Sequence, residues 1–221
     1  MRTRSASRQR APVGSSGAAT RAGRVKRPRG RDPAGARNAM IQSAETIFRR
    51  EGYFATDSNA IARAAGYAPG SFYTHFRDKL EVFLLVYERW VLGEWQAIDA
   101  AIGASAKTQD WIGRVVTSTL DHHRQWRKFR ASLRALAAIE PSVRGAQNEQ
   151  RRQQIKRLQD LCAARKLRRP DAATSLTVLL AAERILDAIA EGDMLVLGVE
   201  TERACDALAA MLTALLGPTR A

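Results

Sequence analysis

The 221-residue sequence predicts an all-α fold: a small three-helix unit near the N-terminal end, followed by a larger helical domain. Three observations predict it. Apolar residues recur at three- and four-residue intervals in nearly every segment after residue 32. Those segments are bounded by helix punctuation, with Asp or Thr before them and Gly or Pro after them. Only Met194 to Val199 reads as a strand, and one isolated six-residue run cannot make a sheet, so it is taken as a connection.

Residues 1–31 carry ten basic side chains, no acidic one and no apolar period, which predicts a disordered tail. Asp32-Pro33 opens the first helix, with Met40, Ile41, Ala44, Ile47 and Phe48 on one stripe and Gly52 as its stop. Thr56-Asp57 caps a short helix that turns Ile61, Ala62 and Ala65 inward and ends at Gly66. Tyr67-Ala68-Pro69-Gly70 is a tight connection into a third helix, Ser71 to Phe76. Asp78 caps a long helix with Leu80, Phe83, Leu84, Tyr87, Trp90, Val91 and Ile98 on its apolar side.

Thr108 caps the next helix, with Trp111, Ile112, Val115, Val116 and Leu120 at helical spacing. A shorter helix over 129–139 is ended by Pro141, and 142–167 is a polar helix with Ile155, Leu158 and Leu161 as its seam. Asp171 caps a helix bearing Leu176, Leu179, Leu180, Ile185, Leu186 and Ile189. The last helix runs from about Thr201 to Gly217-Pro218. The expected division is a tail at 1–31, a head at 32–79 and a helical domain at 80–221.

The formal net charge is +14, from 36 Lys and Arg against 22 Asp and Glu. That excess predicts a polyanionic partner. It is uneven: residues 120–169 sum to +10 and residues 170–221 to −5, so the two stretches can pair. Cys162 and Cys205 are far apart and form no C-x-x-C pair, which argues against a disulfide framework or a zinc site and fits a reducing cytosol. No run of about 18 apolar residues predicts a membrane span. The N-terminal stretch lacks a secretory apolar core, and its Pro and Gly content spoils the amphipathic helix of a transit peptide. His122-His123 is no metal pair, because adjacent helical residues point to different faces and no further ligand sits at metal spacing. No nucleophile-base arrangement or phosphate-cradling glycine loop stands out, so no catalytic site and no cofactor are expected.

A short helix, a glycine turn and a second short helix over about residues 57–76 follow the helix-turn-helix plan. Ala62 and Ala65 keep the packed side small, and Gly66 permits the bend. Pro69, Gly70 and Ser71 leave the backbone open where the second helix begins. Tyr73, Thr74 and His75 carry polar tips, and Phe72 and Phe76 anchor the other face. In order and spacing, Ala44-x-x-x-Phe48, Gly52-Tyr53, Thr56, Ile61-Ala62, Ala65-Gly66, Gly70-Ser71-Phe72-Tyr73-x-His75-Phe76 and Lys79 resemble the DNA-binding domain of the tetracycline-repressor (TetR) family. The resemblance covers about residues 33–85. Asp57 stands where the family usually has Thr or Ser, and Tyr67-Ala68-Pro69 replaces Val-Ser-Lys or Val-Ser-Arg, removing one cation from the turn.

The resemblance implies a cytoplasmic, non-enzymatic transcriptional regulator, a repressor released from a double-stranded DNA operator by a small-molecule effector. It implies a homodimer that places two recognition helices in successive major grooves. Tyr73, His75 and Lys79 would meet backbone phosphates, and Ser71 and Thr74 would face base edges or phosphates. Thr56 and Asp57 would cap the first helix of the motif against a phosphate, and Pro69 and Gly70 complete the DNA-facing set. The basic tail is then either a solvated extension or an arm on DNA phosphates.

Of the 14 aromatic residues, 11 fall between Phe48 and Trp95, and none follows Phe129. An effector pocket would take its aromatic wall from Tyr87, Trp90, Trp95, Trp111, His122, His123 and Trp126, facing an aliphatic wall such as Leu176, Leu179 and Leu180. The competing reading is that these tryptophans simply fill the core. Leu208, Met211, Leu212 and Leu215 mark a candidate dimer seam on an Ala-rich helix. Two rival functions stand beside the regulator: a sequence-indifferent nucleoid-type DNA binder, and a small-molecule-binding protein with a vestigial head.

Overall fold

A computed structural model describes residues 33–104 and 111–216. The tail at 1–31, the caps at Asp32 and Thr108 and the stop at Gly217-Pro218 lie outside the described residues. The described chain is helical throughout, with no strand. The helices are α1 (Pro33–Glu51), α2 (Ser58–Ala64), α3 (Lys79–Ala104), α4 (Trp111–Gln125), α5 (Arg127–Ile139), α6 (Pro141–Ala164), α7 (Ala172–Glu191), α8 (Asp193–Val196) and α9 (Thr201–Leu216). A 3-10 segment, Pro69–Thr74, lies between α2 and α3. No helix among the described residues is long and apolar enough to cross a membrane.

The caps act as side-chain acceptors for orphan amides. Asp57 accepts from Ala60 N at 2.7 Å, Asp78 from Glu81 N at 2.8 Å and Asp171 from Thr174 N at 2.7 Å. Gly66 closes α2 at φ +84, with Tyr67 N donating to Ala62 O and Gly66 N to Arg63 O, which satisfies two terminal carbonyls. Gly52 closes α1 at φ +87 and is constrained a second time: a Cβ there would lie 2.8 Å from Ser132 Oγ on α5.

Four local expectations change. The element expected as an α-helix from Ser71 to Phe76 is a 3-10 helix that starts two residues earlier. Pro69 presets φ but brings no amide, and so short a piece has no length over which α geometry would win. Pro141 does not only end α5; it also occupies the first turn of α6, where a missing amide costs nothing. On α6 the buried positions are Val143, Gln154, Leu158 and Cys162, while Ile155 and Leu161 are half-buried. The strand-like run at Met194–Val199 begins within the one-turn helix α8, with Leu195, Val196 and Leu197 exposed.

Two apolar cores form. The first gathers α1, α2, the 3-10 segment, α3 as far as Trp95, Trp126, the α5 residues Phe129, Leu133 and Leu136, and Val143. Its centre is aromatic. Phe83 sits 5.4 Å from Phe48, 5.2 Å from Tyr53 and 4.7 Å from Phe129, ring to ring. Each such pair adds about 0.5–1.5 kcal/mol beyond area burial. The second core is aliphatic, from Ile112, Val116 and Leu120 on α4, Leu158 and Cys162 on α6, Val178, Leu186 and Ile189 on α7, and Ala204, Leu208, Leu212 and Leu216 on α9. The packing does not break at residue 79, where the sequence suggests a boundary. α3 and α5 carry the first core across it, because their apolar faces extend past the head.

Candidate nucleic-acid interface and ligand cavity

The expected polar tips of the head are exposed or half-buried. Tyr73 is 62% exposed, Thr74, Asp57, Pro69 and Gly70 are exposed, and Thr56, Ser71 and His75 are half-buried. Phe72 and Phe76, buried beneath them 5.2 Å apart, fix the segment to the core. The guanidinium of Arg37 lies over the Phe76 ring at 5.0 Å. This places a cation from α1 beside the recognition segment.

Lys79 departs from its expected posture. Its Nζ donates to Tyr53 O at 2.8 Å and Thr56 O at 2.6 Å and lies 3.8 Å from the Tyr53 ring centroid. Burial pulls its pKa down, with Asp57 opposing. Two of its three donors are committed to the α1–α2 turn, so Lys79 clasps the motif and leaves one donor for any phosphate. From the far side, Ser132 Oγ on α5 accepts from Tyr53 N at 2.9 Å and donates to Lys128 O. The same turn is thus held by both α3 and α5.

A cavity of about 130 Å³ lies among α3, α4, α5, α6, α7 and α9. Of the residues expected there, Tyr87, Trp90, Trp95, Trp111 and His123 line it. His122 and Trp126 do not. His122 Nε2 meets Trp90 O at 3.2 Å behind the wall, and Trp126 belongs to the head's core, with the Arg49 guanidinium 5.9 Å over its ring. Adjacent residues on a helix point to different faces, so His122 and His123 part at the cavity wall. On the opposite wall Leu179 lines the cavity; Leu180 is exposed and Leu176 half-buried. Leu208 and Leu212 also line it, turned into their own subunit's core and not outward as the dimer reading expects. Their i, i+4 stripe with Ala204 and Leu216 has the cavity as its buried face, while Met211 and Leu215 are half-buried at its edge.

One end of the cavity is ionic: the basic stretch 120–169 pairs here with the acidic stretch 170–221, as their opposite charges allow, although sequence reasoning singled out only His123 among these residues. Asp187 on α7 accepts from His123 Nδ1 at 2.9 Å, from Arg130 Nε at 2.9 Å and Nη2 at 2.8 Å, and from Arg134 Nη1 at 2.6 Å. Arg130 also reaches Glu183 at 2.7 Å, Arg151 pairs with Glu183, and Arg134 pairs with Glu191. His123 Nε2 meets Glu94 at 2.9 Å. Carboxylates only accept, so bonds at both ring nitrogens require the doubly protonated imidazolium. Burial opposes that charge, but Asp187 and Glu94 outweigh it and hold the His123 pKa above its ordinary value. Burial likewise opposes the Asp187 charge, yet His123 and Arg130 keep its carboxyl far below the usual range. Burial, with Glu183, pushes the Tyr87 phenol up to about 12. The sequence carries a signal for part of this. Val116, Leu120 and His123 share a helical stripe, Arg130 sits between Phe129 and Leu133, and Asp187 sits between Leu186 and Ile189. A charge inside an apolar stripe needs a buried partner.

Comparisons with known proteins bear on the two halves differently. Residues 40–86 match the family model described as bacterial regulatory proteins, tetR family. The HTH-type transcriptional repressor KstR2 of Mycolicibacterium smegmatis is 38% identical over 69 residues, 30% of this chain. The match spans about a third, 34%, of that repressor's length. Among solved structures, a TetR-like transcriptional regulator from Rhodococcus sp. RHA1 superposes with a TM-score of 0.56 at 20% identity, over 86% of this chain and 98% of that one. A further Rhodococcus transcriptional regulator gives 0.60 at 14%, over 83% and 99%. The fatty acid degradation regulator FadR from Bacillus halodurans gives 0.55 at 16%, over 88% and 99%. At these identities the structures share the fold.

Proposed function

We propose, from a head that belongs to the tetR family of bacterial regulatory proteins, that this protein is a sequence-specific transcriptional repressor released from its operator by a small effector. The observation that carries the reading is the pairing of an exposed recognition segment, Tyr73 and Thr74 over a buried Phe72–Phe76 anchor, with a largely apolar cavity beyond the head. Pro69, Gly70, Ser71, Tyr73, Thr74 and His75 form the DNA-facing set, Thr56 and Asp57 shape the preceding turn, and Lys79 holds that turn in place.

The protein acts as a homodimer. Because Leu208 and Leu212 face inward, the interface falls on the outward residues: Thr177 and Leu180 of α7 and Ala207, Ala210 and Ala214 of α9. Leu180 is exposed on α7, and the exposed alanines of α9 are small enough to let helices approach closely. An effector that prefers the non-binding conformation shifts the population off DNA; moving from mostly bound to mostly free takes a differential affinity of about 5 kcal/mol.

Nuclease footprinting on the DNA flanking the gene tests the reading. A discrete protected site of pseudo-palindromic sequence is the expected result; uniform coating at all concentrations would make the protein a nucleoid-type binder. Leu180→Arg is expected to sediment as monomer and to lose the footprint while keeping its helical circular dichroism.

A further inference from the structure

The longest run of exposed large apolar residues among the described residues is Leu195, Val196 and Leu197, followed after Gly198 by Val199. Val196 is 87% exposed, Leu197 77% and Leu195 55%. Single apolar side chains in water are ordinary, but several together mark a surface that something covers. The run is held in one shape. Gly192 and Gly198 take φ +88 and +74 at its two ends. Gly198 N donates to Leu195 O at 3.0 Å and Val199 N to Met194 O at 2.9 Å. Met194, half-buried against the second core, pins α8 from inside while the residues after it stay outside. A preformed patch binds without the entropy cost of ordering a loop.

Its surroundings select the partner. Exposed Asp193, Glu200 and Glu202 stand beside exposed Arg184 and Arg203, and Arg184 meets Asp193 loosely, at 3.8 Å. The carboxylates disfavour DNA and anionic lipid. A rim with both signs can meet its own image across a two-fold axis without forcing like charges together. Area points the same way. The outward face of Thr177, Leu180, Ala207, Ala210 and Ala214 has five residues, three of them alanine. A stable interface takes about 20–30 residues and about 800 Å² from each side. α7 and α9 flank the run in the chain, so it extends that face with four large apolar side chains.

We infer that Leu195, Val196, Leu197 and Val199 form the head-side part of the dimer interface, buried against a second copy of this chain. This rests on the homodimer of the proposed function. The end of α7 that leads into the run is the end tied to the head. Arg134 on α5 bonds Asp187 at 2.6 Å and pairs with Glu191, and Leu133 and Leu136 of the same helix belong to the head's core. A contact there braces the two heads against each other, as simultaneous reading of two half-sites requires.

The test uses the full chain. Sedimentation from about 10 μM down to about 10 nM compares the wild type with Val196→Asp and Leu197→Asp. Both sites are exposed in the subunit, so neither variant removes core packing. Each substitution enters a two-fold interface twice, and the dimer Kd is expected to rise about a hundredfold or more. Operator affinity should fall with it, because one head alone holds one half-site. A second measurement reads the cover directly. Val196→Cys is combined with Cys205→Ser, the other thiol, Cys162, being buried. Maleimide labelling at position 196 should be about tenfold slower in the dimer than in monomer obtained by dilution or by Leu180→Arg, since thiol reaction follows exposure. A wild type that stays monomeric throughout removes the homodimer, and this contact with it. A dimeric wild type whose Kd moves less than about threefold in both variants, or whose labelling is the same in dimer and monomer, overturns the placement of the run in the interface and leaves the homodimer standing on its Leu180 face.

Discussion

The two cores of this protein are stabilised in different ways. The head is filled by rings: Phe48, Tyr53, Phe72, Phe76 and Phe83, closed from the α5 side by Trp126 and Phe129. Such rings have few rotamers and interlock, so the recognition segment has one place to sit. The half beyond the head, regulatory on the proposed reading, is filled by aliphatic side chains around a cavity, and its polar end is an ion network centred on Asp187. Ion pairs there are directional and matched, and the adjoining space leaves room for rearrangement. On the proposed reading, the head as a DNA reader needs a fixed shape, whereas a sensing half needs a second arrangement within reach. α3 and α5 serve both: each contributes rings to the head and a lining residue, Trp90 or Arg130, to the cavity.

If the contrast is sound, the largest effect comes from breaking the ion network. Asp187→Ala leaves Arg130 buried and Arg134 half-buried without their shared carboxylate, at a cost of about 3–5 kcal/mol. Chemical denaturation should show the loss, and the regulatory half should expose its apolar surface first, before the head's near-ultraviolet aromatic signal disappears. Simultaneous loss of both signals at the mutant's midpoint would mean that the two cores unfold as one unit.

Lys79→Met probes the head in the same way on a smaller scale. It removes the donor to Tyr53 O and Thr56 O, with a loss of about 1.5–3 kcal/mol. DNA affinity should fall with it. A variant that keeps its stability but loses DNA binding would return Lys79 to a direct phosphate role.

The network also makes the regulatory half pH-sensitive. His123 faces Glu94 from α3, Asp187 from α7 and Arg130 from α5, with His122 beside it on α4. Its folded pKa is raised, so its contribution is complete below about 6.5 and is lost as pH rises through the folded value. Asp187 is depressed, so its contribution is present above about 3.9 and is lost as pH falls. Melting temperatures across pH 4–9 should therefore decline on the alkaline side in the wild type, and flatten there in His123→Gln. An unchanged slope in that variant would place the alkaline sensitivity elsewhere.

The smallest effect on stability should come from the reading surface. Tyr73→Phe removes an exposed hydroxyl, so the midpoint should move by less than about 0.5 kcal/mol. DNA affinity should drop about fivefold on specific and scrambled sequences alike, as loss of a phosphate contact does. A selective loss on the specific site would make Tyr73 a base reader.

The sequence alone determined most of the helices, the caps at Asp57, Asp78 and Asp171 and the motif, because these depend on neighbours in the chain; the 3-10 form of Pro69–Thr74 and the one-turn α8 were not legible there. Asp57, Asp78 and Asp171 meet amides three residues on, Gly52 and Gly66 take positive φ at helix ends, and apolar periodicity marks the buried faces of α1, α3 and α4. Tertiary structure decided what those faces meet. Whether the Leu208–Leu212 stripe turns to a partner or to its own cavity depends on where α4, α6 and α7 lie, and periodicity is blind to that. The same holds for Lys79, bonded to carbonyls 23 and 26 residues earlier, and for Arg130, paired with Asp187 57 residues later. A helical stripe marks which face tends to be buried; only the packing of distant helices decides which of its residues are covered and by what, as exposed Leu180 on α7 shows.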